Sequence, residues 1–103
     1  MNEVLLYAEK GKGNVISVVA QIDEYGRLLI LGDEYGLETE WEIEYCYLLD
    51  KESTKKLSVL LKSDQNVSLL QALAAEYDGR NGCERLMEFC RENGVSYQYF
   101  EVE

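Results

Sequence analysis

The chain has 103 residues, 20 of them acidic and 10 basic, with no histidine and no proline, for a net charge of −10. At this size one core is the rule, and the 47% of apolar residues is enough to fill it, so residues 1–103 read as a single domain. The negative field excludes nucleic acid, whose phosphates it repels, and disfavours an anionic membrane surface. It favours a basic protein as partner.

No N-terminal segment joins basic residues to a long apolar run and a small-residue cleavage site. The apolar stretches fall far short of the roughly 20 residues that span a bilayer, so the expected location is the cytoplasm. Cys46, Cys83 and Cys90 are an odd set. Cys83 and Cys90 share a helix face but lie about 10 Å apart along its axis, too far for a bridge, and the three are expected as free thiols.

Residues 4–8 are a short apolar run ending at Lys10-Gly11-Lys12-Gly13, which predicts a strand and a turn. Residues 14–22 are rich in Val and Ile without clear alternation, predicting a strand that is central or covered on both faces. Asp23-Glu24-Tyr25-Gly26 recurs as Asp33-Glu34-Tyr35-Gly36. Each copy is expected to be a turn, with Asp at its start and Gly in the left-handed position, and the segment between them to pair with residues 14–22 as a hairpin. Residues 38–49 then alternate, with Trp41, Ile43, Tyr45, Tyr47 and Leu49 on one side and Glu42, Glu44 and Cys46 on the other, a strand with one buried and one wet face.

Asp50 is the predicted N-cap of a helix over residues 51–62, with Leu57, Leu60 and Leu61 buried. Ser68-x-x-Gln71 predicts a capping box for a second helix ending at Asp78-Gly79, and Asn81 with Glu84 a similar box for a third, ending at Asn93-Gly94. Residues 95–103 close the chain as an aromatic strand, with Tyr97 and Tyr99 on one side and Phe100 and Val102 on the other. Its apolar character predicts a place inside the sheet. The fold class that follows is α+β: a mostly antiparallel sheet of about five strands, four N-terminal and one C-terminal, with three helices packed on one face.

Without histidine the commonest general base, the usual zinc ligand and every Ser-His or Cys-His pair are missing, and no phosphate-loop or dinucleotide motif is present. No catalytic residue, cofactor or metal is therefore assigned. The distinctive feature is an all-acidic window in which Asp33, Glu34, Glu38, Glu40, Glu42 and Glu44 occur with no Lys or Arg between them. These carboxylates, with Tyr35 and Trp41 as apolar anchors, form the candidate partner-binding set.

Gly26-Arg27-Leu28, Gly36-Leu37, Glu44-Tyr45-Cys46-Tyr47, Lys56-Leu57, Leu69-Leu70-Gln71-Ala72-Leu73 and Glu92-Asn93-Gly94-Val95-Ser96-Tyr97 resemble a group of small acidic bacterial proteins, most of them without an assigned activity. In size, charge and lack of catalytic groups the chain is also similar to bacterial immunity proteins, including those of contact-dependent growth inhibition. That likeness rests on overall character, so no residue role is carried over. It implies an inhibitor that neutralises a basic, nuclease-like toxin. The alternatives are a non-catalytic interaction or scaffold domain, and a carboxylate-dependent metal enzyme using Glu42 and Glu44 with Asp33 or Glu34.

Overall fold

The computed structural model describes residues 3–11, 13–37, 41–63 and 66–102. Strands β1 (Glu3–Lys10), β2 (Asn14–Ile22), β3 (Leu28–Gly36) and β4 (Glu42–Leu49) precede helices α1 (Lys51–Leu60), α2 (Asn66–Glu76) and α3 (Gly82–Glu92), and β5 (Gln98–Val102) follows. Every pairing is antiparallel and the spatial order is β1-β2-β3-β4-β5. This is the expected α+β architecture. No helix among the described residues is long and apolar enough to cross a membrane.

Strand alternation decides what each face carries. Leu6 of β1, Val18, Ala20 and Ile22 of β2, Leu28 and Ile30 of β3 and Leu49 of β4 are buried beneath Leu57 of α1, Leu69, Leu70 and Leu73 of α2, and Leu86, Met87 and Cys90 of α3. All three helices pack on this one side. At Gly32 the ring of Tyr45, its direct partner on β4, lies where a side chain would stand: an added Cβ would come within 1.9 Å of the Tyr45 Cζ.

The two identical tetrapeptides part company. Asp23-Glu24-Tyr25-Gly26 is the expected β2–β3 turn, with Gly26 at φ 78° and Asp23 Oδ1 accepting from the backbone N–H groups of Tyr25 and Arg27, each at 2.9 Å. Asp33–Gly36 is not a turn but the end of β3. Asp33 pairs with Ser17 and Glu44, and Tyr35 with Val15 and Glu42; a ladder available on both sides outweighs the local turn preference of Asp and Gly. The next strand starts at Glu42, with Trp41 ahead of it, while residues 38–40 lie outside the described residues.

The aromatic last strand is also displaced from its expected place. β5 pairs with β4 and forms an edge of the sheet rather than an interior strand. A short strand carrying a charge such as Glu101 is one of the forms in which edges are tolerated.

Asp50 caps α1 as expected, its carboxylate accepting from the Ser53 N–H at 2.8 Å. The helix ends at Leu60 rather than residue 62, and its buried face is Ser53, Thr54 and Leu57, with Leu60 exposed and Leu61 half-buried. The cause is Thr54: its buried hydroxyl accepts from the Leu28 N–H at 3.0 Å and donates to the Leu49 carbonyl at 3.1 Å, turning the first turn of α1 inward. α2 begins at Asn66, so Ser68 lies within the helix and not at its cap. Asn81 precedes α3 without a side-chain capping bond, so the Asn81–Glu84 box is not formed. Gly94, at φ 69°, ends α3, and the Val95 N–H returns to the Cys90 carbonyl at 2.8 Å. The cysteines are free, and burial pushes the Cys83 thiol up to about 12 and the Cys90 thiol up to about 11.

Thr54 thus joins the start of β3, the end of β4 and the first helix. Thr54→Val, which keeps the volume and removes both bonds, is expected to cost about 1–3 kcal/mol, read as a lower urea midpoint at unchanged slope, with Thr54→Ser recovering most of it.

Candidate functional site

The sheet face opposite the helices is built in rows, because direct cross-strand partners project to the same side. Leu5, Val19, Leu31, Cys46 and Phe100 stand in register on five successive strands. None belongs to the core cluster. The three central side chains are half-buried, whereas the end residues Leu5 and Phe100 are 56% and 50% exposed. One row along lie Ala8, Ser17, Asp33 and Glu44, and the next holds Val15, Tyr35 and Glu42. An apolar row thus runs across the sheet with an acidic row beside it. Together they line an open concavity of about 410 Å³ that includes Val19, Leu31, Cys46, Phe100, Asp33 and Glu44.

At the acidic end, carboxylate oxygens of Asp33, Glu42 and Glu44 all lie within 4.8 Å of one another. Glu42 and Glu44 are exposed and Asp33 is half-buried. The Asp33 Oδ1 atom is itself buried and receives no hydrogen bond. The Glu42 carboxyl is raised above its ordinary value, first by hydrogen bonding with Asp33 and then by the Asp33 charge, desolvation and the Glu44 charge. Among the described residues the ion pairs are Arg27 with Asp23 at 2.7 Å and Arg80 with Glu9 at 3.8 Å, so neither neutralises the cluster. Three carboxylates held this close can accept a cation, from a partner side chain or as a metal ion, at lower cost than they can stay alone.

The candidate residues read from the sequence divide accordingly. Asp33, Tyr35, Glu42 and Glu44 come together on the open face. Glu34 projects to the helix side, where Asn14 Nδ2 donates to it at 3.2 Å. Trp41, 39% exposed, sits outside the strand ladder, and Glu38 and Glu40 lie outside the described residues. The aromatic side of β4 packs among tyrosines beside α3, with the Tyr47 ring 4.9 Å from that of Tyr99 and 5.6 Å from that of Tyr97.

The residues that sequence reasoning overlooked are the apolar row. Its signal was the consecutive apolar residues Val18-Val19-Ala20 of β2 and Leu28-Leu29-Ile30-Leu31 of β3, which supply two faces where the helices cover one. Comparison with protein-family models, curated proteins and solved structures gives no match.

Because folding raises the Glu42 pKa, the folded state favours the protonated carboxyl. Stability contributed by that proton is present below the unfolded-state pKa and is lost as pH rises through the folded-state value. Glu42→Gln is therefore expected to be more stable than the parent at neutral pH, with the gain fading as pH falls below the carboxylate range. Urea midpoints measured across pH check this, and equal midpoints at pH 7 would contradict it.

Proposed function

We propose that this is a non-catalytic binding protein of the immunity or inhibitor class. It neutralises a basic, nuclease-like toxin by laying its open sheet face on the toxin's cationic surface. One observation carries the reading: the Asp33, Glu42 and Glu44 oxygens lie within 4.8 Å of one another on a face left uncovered by the helices, with no described Lys or Arg paired to them. Such a cluster costs stability in isolation and gains when a partner supplies cations. The net charge of −10 extends the attraction beyond contact range and speeds encounter by about 10 to 10³-fold at low salt. The apolar row next to the cluster supplies the desolvated surface on which affinity depends.

A divalent cation is the second reading, favoured by the same three oxygens. Calorimetry with magnesium and with calcium separates the two: heat and a thermal shift that vanish in Asp33→Asn would move the assignment to the metal.

For the leading reading, the immobilised chain is used to capture partners from the native cytosol, beside the triple variant Asp33→Asn/Glu42→Gln/Glu44→Gln. A basic protein should be retained by the parent and released by salt. Its association with the variant should be slower by an order of magnitude or more at low salt. A partner held equally by both proteins, at any ionic strength, would remove this face from the function.

A further inference from the structure

We infer that the open-face concavity is the seat of a single arginine side chain from the partner, its methylene stem on the apolar row and its guanidinium against Asp33 and Glu44. This deepens the binding reading above and rests on it. The row next to Asp33 and Glu44 is Leu31 and Cys46, with Val19 and Phe100 on either side. Successive rows on one face are two residues apart along a strand, about 6.5 Å, roughly the reach of an arginine stem from its first methylene to its head. A side chain entering over Phe100 or Val19 therefore finds hydrocarbon first and carboxylate second.

One feature calls for a cation and two select arginine. The Asp33 Oδ1 atom is buried without a hydrogen-bond partner, which leaves the carboxylate under-compensated and favours positive charge held against the cluster. The cluster offers oxygens from three side chains within 4.8 Å, which a planar fork of five N–H donors can engage together while an ammonium meets them as a point. The site is half apolar, and a guanidinium is more weakly hydrated than an ammonium and surrenders its water more readily on such a surface. A second copy of this chain is opposed as occupant by the field of two bodies each carrying −10.

The test uses butylguanidinium as probe, with guanidinium ion and butylammonium as controls, followed by shifts of backbone amide resonances in the full chain. Butylguanidinium should move the amides of Val19, Leu31, Asp33, Glu44 and Cys46, and should bind roughly tenfold more tightly than guanidinium because the stem buries methylenes. Phe100→Ala, at an exposed edge position, should erase much of that advantage while leaving guanidinium binding as it was. Asp33→Asn should weaken both. Equal binding of butylammonium would overturn the choice of arginine, and equal binding of guanidinium would overturn the role of the apolar row. No shift at these amides would overturn the seat itself. A dimer in sedimentation that Asp33→Asn tightens would assign the face to a second copy. The parent reading fails on different data: a captured partner indifferent to the carboxylate variants. Dependence on those carboxylates with indifference to Phe100→Ala would defeat the arginine seat alone.

Discussion

The register between β3 and β4 places Asp33 opposite Glu44 and Gly32 opposite Tyr45, and on that register the rest of the molecule depends. A slip of β4 by one residue would send Glu42 and Glu44 under the helices, away from Asp33, and bring Tyr45 out to solvent, since side chains alternate strictly along a strand. Gly32 and Tyr45 resist the slip. The ring occupies the space above the glycine, and any other residue at position 32 would press a Cβ into it. From the other end, the Thr54 hydroxyl binds the start of β3 and the end of β4 to the first helix, so the pairing is held at both ends by different chemistry.

Cover on one side is the second constraint. The helices follow β4 and the chain returns as β5, so all three pack on the same side of the sheet and bury one set of alternate residues. The opposite set is not the polar surface such a sheet usually presents. Its central row is apolar from Leu5 to Phe100, and an exposed row of that kind marks an interaction surface more often than it does an ordinary monomer surface.

Electrostatics then gives that surface a direction. Three carboxylates converge beside the middle of the apolar row, and hydrogen bonding with Asp33, followed by the Asp33 charge, desolvation and the Glu44 charge, raises the Glu42 carboxyl above its ordinary value. In the proposed reading, this cluster and the uncovered apolar row next to it form half an interface whose other half is cationic with apolar contact beside it. Recognition by such a surface combines fast, salt-sensitive encounter with a hold that depends on a few desolvated side chains.

Local letters were sufficient for the element order, the four-strand, three-helix, one-strand plan, the Asp23–Gly26 turn, the Asp50 cap and the alternation that separates Glu42 and Glu44 from Tyr45 and Tyr47, because each depends on neighbours within a few residues. Tertiary structure alone decided the rest. Asp33–Gly36 repeats the letters of a turn, yet strands on both sides draw it into the ladder; Glu34 and Asp33 are adjacent in sequence but fall on opposite faces; and the aromatic β5 lies at an edge. The row Leu5, Val19, Leu31, Cys46 and Phe100 draws one residue from each of five strands, so it exists only once register and strand order are set. That is why the candidate site could be read from the chain only as a run of carboxylates.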